Sequence, residues 1–231
     1  MFKYNFKAYD IHYVRNNIFS ADALILKNVP LNARVLEVWC ARGHMSKYMK
    51  EDLWCEVIGV DFSEEAAQEA NHFQSKTYIG DLDDENFLKT IQWTFDCILF
   101  PAVLEHLKYP ERVLSSLLQR LKPWWTVIIS LPNIAHYTIR FSLLFWNFNY
   151  SSYGILDNTH LKFFTYHTAK KLIQQKQNGT LRVTSFMCSF PFPGAGILVK
   201  IPIIKDIIYF LINKVFFRLF WEELIFICTK Q

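Results

Sequence analysis

Short apolar segments rich in β-branched residues alternate, over the first part of the chain, with segments whose apolar residues recur at helical spacing. The apolar segments lie at 34–38, 55–60, 76–80, 95–100 and 126–131. Each has the length of a strand, so we predict strands separated by helices of roughly 8 to 14 residues. This alternation is typical of right-handed βαβ units and of a mostly parallel sheet.

Start signals for helices stand between these segments. Ser63 precedes two glutamates and predicts a helix N-cap, and Pro110 stands where a proline of the first turn would open a helix. Further on, we expect a helix at about 166–176, a strand at about 181–188 and a last strand at 223–228. The predicted fold is α/β: a Rossmann-like, doubly wound sheet of seven mostly parallel strands with helices on both faces.

Composition limits the class of protein. The 231 residues are 52% apolar and 20% charged, which is enough for one sizeable core and too apolar for a disordered chain. The net charge of +4 is small and forms no basic stripe among stacking aromatic residues, so we expect no nucleic-acid partner. Five cysteines without a C-x-x-C pair or metal-ligand spacing indicate buried free thiols and no metal.

The expected location is the cytoplasm. The N-terminal segment interleaves charged and aromatic residues and has no apolar core of a secretory signal. The longest charge-free segments, 123–139 and 183–199, contain prolines and polar residues and fall short of the roughly 20 apolar residues of a membrane helix. Free thiols also favour a reducing compartment.

The turn after the first strand is the first candidate for chemistry. The segment VLEVWCARGHMSKYM at 35–49 joins that strand to a helix, and open α/β sheets bind ligands at the carboxyl ends of their strands. Asp61 ends the second strand, where a carboxylate can accept hydrogen bonds from ribose hydroxyls. The alternative is that Asp61 only caps the next turn.

Six segments follow one another in the order seen in class I S-adenosylmethionine-dependent methyltransferases. They are RVLEVWCARGHMSKYM, VIGVDFSEEAAQEA, GDLDD, FDCILFPAVLEHLKYPERVL, LKPWWTVIISLPN and GILDNTHLKFFT. Over about residues 30–190 the chain resembles this family, and it looks most like the bacterial small-molecule branch related to ubiquinone-type O-methyltransferases. The resemblance implies a methyltransferase with S-adenosyl-L-methionine as its cofactor.

The resemblance also implies which residues surround the methionine part of the cofactor. Glu37, Cys40 and Gly43 would frame it, with backbone amides and the Glu37 carboxylate facing its carboxylate and amine. Pro101, just beyond the fourth strand, would border the sulfonium and the acceptor.

A second set of residues would hold the adenosine part. By the same resemblance, Asp61 would bind the ribose and Phe62 would lie against the adenine. Asp81 and Leu82 would meet the amino edge of the adenine. For Asp81 in GDLDD, ordinary turn chemistry is the alternative.

Two histidines are candidates for handling the proton of the acceptor. A hydroxyl or a protonated amine must lose a proton when it is methylated, and His106 or His160 could take it. Asp157 could orient His160. A structural role is the alternative for both histidines: Glu105 and His106 could form a pair on a helix face that holds a loop.

The first turn departs from the family's pattern. The family has G-C-G-x-G, whereas this chain has Trp39, Cys40, Ala41, Arg42 and Gly43. An indole at the first position would collide with the carboxypropyl tail of the cofactor. A methyl group at Ala41 is tolerable only where φ is negative.

Tryptophan stands at five positions where glycine is expected, including the one in the first turn. These positions are Trp39, Trp54, Trp124, Trp125 and Trp146, in a chain with seven glycines and seven tryptophans. Some genetic codes read UGA as glycine and others read it as tryptophan. UGA codons read under the wrong code would therefore explain the pattern with a single cause.

The expected single domain over residues 1–231 has three functional parts. About 30–131 would form the cofactor-binding core, and the aromatic insertion at about 132–165 would shape the acceptor side. The apolar segment at about 198–221 would form a lid or pack on the sheet, with peripheral membrane contact as the less favoured alternative.

These observations favour an S-adenosylmethionine-dependent enzyme. The expected reaction is methyl transfer, at oxygen, to a small-molecule acceptor or to one linked to a sugar or a lipid. The alternative is a catalytically inactive methyltransferase-like binding or scaffold module whose cofactor turn is damaged at Trp39 and Ala41. A dinucleotide enzyme is disfavoured because the G-x-G-x-x-G spacing is missing.

Overall fold

The computed structural model describes residues 20–175, 177, 179–189, 219 and 221–231. The N-terminal segment and almost all of the expected lid at 198–221 lie outside the described residues. Within the part of the chain that is described, no helix has the length and apolarity needed to cross a membrane.

Strands and helices alternate as predicted. The strands are β1 (Arg34–Val38), β2 (Glu56–Asp61), β3 (Lys76–Ile79), β4 (Phe95–Pro101), β5 (Leu121–Pro132), β6 (Leu181–Ser189) and β7 (Glu223–Lys230). The described α-helices are α1 (Ala21–Leu26), α2 (His44–Glu51), α3 (Glu64–Ala70), α4 (Glu85–Thr90), α5 (Pro110–Leu118), α6 (Tyr137–Leu144) and α7 (Tyr166–Lys170), the last continuing as a π-helix over Lys171–Gln175.

The boundaries differ from prediction in two ways. β5 begins at Leu121 rather than at 126, because the strand includes an irregular stretch where its pairing with β4 shifts register. Of the helices α2 to α5, α2 and α5 have eight and nine residues, within the expected range, whereas α3 and α4 have seven and six and are shorter. The two helix start signals are confirmed: the Ser63 hydroxyl accepts a hydrogen bond from the Ala66 amide, and Pro110 opens α5.

All strands join one seven-stranded sheet in the order β3-β2-β1-β4-β5-β7-β6. The strands β1 to β5 pair in parallel, whereas β7 is antiparallel to both β5 and β6. The order reverses between β1 and β4, and ligands bind at the carboxyl ends of strands near such a switch point. The predicted fold class is therefore confirmed.

The sheet is buried on both faces. Along β1, Leu36 and Val38 belong to one apolar cluster and Val35 belongs to the other. Parallel sheets require this double cover because their crossover helices lie on the two faces. All five cysteines are buried and none forms a disulfide, as their spacing predicted.

The 132–165 insertion contains a helix that the sequence analysis did not predict. Within α6 only Ile139 is buried, and it packs with Ile155 and Leu156 in a small separate cluster. The insertion thus adds little to the main core and lies beside the carboxyl edge of β5.

Candidate active site

A cavity of about 340 Å³ opens at the carboxyl ends of β2 and β3, next to the loop after β4. Its lining combines residues from these ends with residues from more distant loops. They are Trp39, Val60, Asp61, Phe62, Gly80, Asp81, Leu82, Asp83, His106, Leu107, Lys108 and Leu161. Five residues that the sequence singled out therefore share one cavity, since Asp61, Phe62, Asp81, Leu82 and His106 all line it.

Asp61 joins the cavity to the turn after β1. Its carboxylate accepts hydrogen bonds from the Ala41 amide at 2.8 Å and from the Ser63 amide at 2.9 Å. Burial raises the pKa of Asp61 above its ordinary value, against the effect of these amides. The bond from the Ser63 amide is the turn-capping role that was the alternative, and the ligand role of Asp61 stays a prediction.

The opposite wall follows β3. The Asp81 carboxylate accepts a hydrogen bond from the Asp83 amide, which is the turn chemistry of the alternative interpretation. The Asp83 carboxylate in turn accepts from the amides of Lys108 and Tyr109. These bonds tie the wall to the loop after β4. Phe62 projects over the opening and is 65% exposed.

Glu37 lies beneath the turn and does not line the cavity. It is buried and accepts a hydrogen bond from the Ser46 hydroxyl. Ser46 accepts from Gln74 at 2.6 Å, and Gln74 accepts from Thr77 at 2.6 Å. Burial raises the pKa of Glu37 to about 8, so this carboxyl group stays largely protonated at neutral pH.

Three further predicted residues lie outside the cavity lining. Cys40 is buried, with its thiol 3.8 Å from the Gln74 side-chain oxygen. Gly43 precedes α2 with φ +78°, and a Cβ there would lie 2.9 Å from the Ala70 Cα. A close approach at positive φ requires glycine at this point. Pro101 ends β4 and is half-buried.

Trp39, whose indole we expect to collide with the cofactor, lies at the wall of the cavity. It has φ +62°, and its indole lines the cavity between two aromatic neighbours. The ring centroid lies 5.4 Å from that of Phe62 and 4.5 Å from that of His106, both edge-on. Ala41 has φ +47°, so the negative φ that would make its methyl group tolerable is not present.

His106 and His160 come together although they are far apart in sequence. Their ring centroids lie 4.6 Å apart. The Nδ1 atom of His106 is 3.3 Å from the Thr159 carbonyl, and that of His160 is 3.1 Å from the Ile155 carbonyl. Burial and the neighbouring His160 lower the pKa of His106. His106 is therefore neutral at pH 7 and can accept a proton.

Asp157 does not orient His160 in the expected way. Its carboxylate accepts hydrogen bonds from the amide and the hydroxyl of Thr159 instead. The ring of His160 is held by the Ile155 carbonyl. Asp157 thus shapes the loop that carries His160.

Glu105 is the functional candidate that sequence reasoning missed. Both carboxylate oxygens are buried without a hydrogen-bond partner, and burial raises the pKa of this group well above its ordinary value. Its backbone carbonyl accepts from the amides of Leu161 and Lys162, so this segment does hold a loop. Glu105, His106 and His160 each offer one ligand atom within 4.8 Å of the others, a set that could hold a divalent cation.

Comparisons with known proteins agree with this architecture. The family model described as methyltransferase domain matches residues 11–178. A SAM-dependent methyltransferase from Archaeoglobus fulgidus is 20% identical, with TM-score 0.55, 96% of this chain and 100% of that chain covered. The corresponding enzyme from Mesorhizobium loti is 12% identical, with TM-score 0.60 and coverage of 91% and 98%.

A third similar structure contains a bound ligand. The plantazolicin methyltransferase BpumL in complex with SAH is 17% identical, with TM-score 0.56, and the match covers 95% of this chain and 84% of that one. No curated protein matches the chain in sequence. The family match extends over most of the chain and includes the cavity, the turn after β1 and both histidines. The chain therefore belongs to the methyltransferase domain family and is a class I enzyme that uses S-adenosylmethionine.

Proposed function

We propose that this methyltransferase acts on a hydroxyl group of a small-molecule acceptor or of one linked to a sugar or a lipid, in the cytoplasm. The observation that supports this proposal is the cavity, which Asp61 and Asp81 line from adjacent strand ends and His106 lines from the loop after β4. Adenosine-binding groups and a proton acceptor thus share one space.

The cavity lining fits the adenosine part of the cofactor. Asp61 has lone pairs left for two ribose hydroxyls beside the amides that it already binds. The exposed face of Phe62 can stack on the adenine, and Asp81 with the backbone of Leu82 can meet its amino edge. We assign these four residues to cofactor binding.

The methionine part would extend from the ribose toward β1. In the turn from Cys40 to Gly43 the amides of Cys40, Ala41 and Gly43 already donate within the protein, so the amide that the turn would offer to the cofactor is that of Arg42. Glu37 lies beneath the turn. The cofactor supplies a methyl group that a positively charged sulfur already activates. Pro101 at the end of β4 would border the reacting atoms. Trp39 restricts this path, since its ring stands against Phe62.

The residues of this chain then have to orient the acceptor and take its proton. Methyl transfer breaks the sulfur–carbon bond and forms an oxygen–carbon bond, while the hydroxyl proton leaves to a base. His106 is the base that we assign, because it lines the cavity and its lowered pKa keeps the ring in the neutral form that can accept a proton. His160 lies edge-on against it and helps to keep the ring of His106 neutral.

A divalent cation is a second way to activate the hydroxyl at the same place. The observation that favours it is the unpartnered Glu105 carboxylate beside both histidines. A cation there would lower the pKa of a bound hydroxyl without a histidine acting as base. The two schemes differ in their response to a chelator.

Transfer of a labelled methyl group from S-adenosylmethionine to hydroxylated small molecules, sugar-linked acceptors and lipid-linked acceptors tests the proposal. We expect turnover on one class, at least tenfold less with His106→Asn, and no change with the exposed His72→Asn as control. Loss of turnover with EDTA and its recovery with Mg²⁺ or Zn²⁺ would select the cation scheme.

Cofactor binding is measured separately by calorimetry with S-adenosylhomocysteine. Asp61→Asn should weaken binding at least tenfold, while the exposed Glu64→Gln should not. Binding without turnover on any hydroxyl acceptor would refute O-methylation. Equal affinity of the Asp61→Asn variant would refute the assignment of the adenosine site.

A further inference from the structure

Tryptophan is the commonest residue at left-handed backbone positions in the described part of the chain. Seven described residues other than glycine have positive φ: Asn32, Trp39, Ala41, Trp54, Ala102, Trp124 and Trp146. Four of them are tryptophans, out of seven in the whole chain. In the left-handed region the Cβ atom crowds the following carbonyl oxygen, so glycine is the usual residue and bulky side chains are genuine outliers.

Trp146 stands at the position after a helix where glycine is most common. The Trp146 amide donates to the Leu143 carbonyl at 3.0 Å, and the Asn147 amide donates to the Ser142 carbonyl at 2.8 Å. This pair of bonds is the Schellman motif that ends α6, with Trp146 at its left-handed residue, φ +60°. The side chain is 97% exposed, so no packing compensates for the backbone strain.

Trp54 and Trp124 also combine a bulky side chain with a left-handed backbone, at two other places in the fold. Trp54, with φ +58°, lies in the turn between α2 and β2. Trp124, with φ +68°, lies in β5 where its pairing with β4 shifts register, and glycine is typical of such bulges. The two side chains are 74% and 75% exposed. Neither indole is held in place by the core.

Trp39 is the fourth case and the one with a functional consequence. Its φ is +62°, and its ring takes up part of the cavity beside Phe62 and His106. A residue without a side chain would keep the turn and clear that part of the cavity. For this position the consequence rests on the proposed cofactor site.

We propose that positions 39, 54, 124 and 146 carry glycine in the protein as its own cells make it, with UGA decoded as glycine. Four separate left-handed positions then share one cause, and glycine at position 39 opens the methionine side of the cofactor cavity. Trp125, which the sequence pattern included, is not among the residues with positive φ, so the backbone gives it no such support.

Peptide mass spectrometry of the protein purified from its source cells tests the proposal directly. We expect peptides with glycine at positions 39, 54, 124 and 146. Tryptophan at these positions, or UGG codons for them in the gene, would overturn the proposal.

The backbone argument is tested with recombinant protein. Trp146→Gly should raise the melting midpoint by about 2 to 4 °C, because it removes the strain of one left-handed residue. Trp146→Ala is the matched control: it removes the same exposed ring but keeps the Cβ, so it should give no such rise. Trp93→Gly should lower the midpoint, since Trp93 packs on the core and against Arg34. Equal midpoints for Trp146→Gly and Trp146→Ala would overturn the backbone argument.

The consequence for the cavity needs a separate measurement. Trp39→Gly should bind S-adenosylhomocysteine at least tenfold more tightly in calorimetry than the chain with Trp39. The peptide masses and the melting midpoints do not depend on the cofactor. Glycine at the four positions together with no binding by Trp39→Gly would therefore count against the proposed cofactor site and leave the glycine assignment standing.

Discussion

The buried carboxyl group of Glu37 should make the stability of the fold depend on pH. Its pKa is raised from 4.5 to about 8 by burial, while the Ser46 hydroxyl works in the opposite direction. A carboxyl group whose pKa is higher in the folded state binds more protons there than in the unfolded chain. Its contribution to stability is present at low pH and is lost as pH rises between about 4.5 and 8.

Glu37→Gln removes this titration and keeps an acceptor for Ser46. From pH 6 to pH 8 the original chain should lose about 2 kcal/mol of unfolding free energy relative to the variant, as an upper limit, at 1.36 kcal/mol per pKa unit. Urea unfolding at several pH values measures the difference between the two slopes. A pH-independent loss in the variant is expected from the buried amide and does not affect that slope.

The control is Glu51→Gln, an exposed carboxylate at the end of α2. It should change the unfolding free energy equally at every pH in this range. The reasoning is refuted if Glu37→Gln gives the same pH slope as Glu51→Gln, because Glu37 would then titrate alike in the folded and unfolded chains.

Two further predictions concern single positions. In a urea titration, Gly43→Ala should lower the unfolding free energy by at least 2 kcal/mol, because the added Cβ meets Ala70 and the backbone φ is left-handed. Gly154→Ala, at φ +81° with open space around the added Cβ, should lower it by only about 1 kcal/mol. Burial tends to raise the pKa of Asp96, but hydrogen bonds from Lys122 and a backbone amide bring it below its ordinary value. Lys122→Ala should therefore destabilise the fold by about 1 kcal/mol at pH 7 and by progressively less as the pH falls through the lowered pKa of Asp96; an equal loss at every pH would contradict this.

Much of the architecture follows from local patterns. The strand segments, the Ser63 cap and the Pro110 start depend on neighbours a few residues away, and all of them were predictable. Asp61 was predictable because its place at a strand end follows from the same pattern. The order of motifs indicated the methyltransferase family, which the family match confirms.

The sequence by itself determined the strand segments, most of the helices between them, the family and the anomaly of tryptophan at positions that favour glycine, but not the helix α6. Tertiary structure alone decided the rest, because the deciding contacts join segments that are distant in sequence. It brought His160 onto His106 and left the Glu105 carboxylate without a partner beside them. It also buried Glu37 away from the cavity and gave Trp39 a left-handed backbone at the cavity wall, where sterics rather than composition favour glycine.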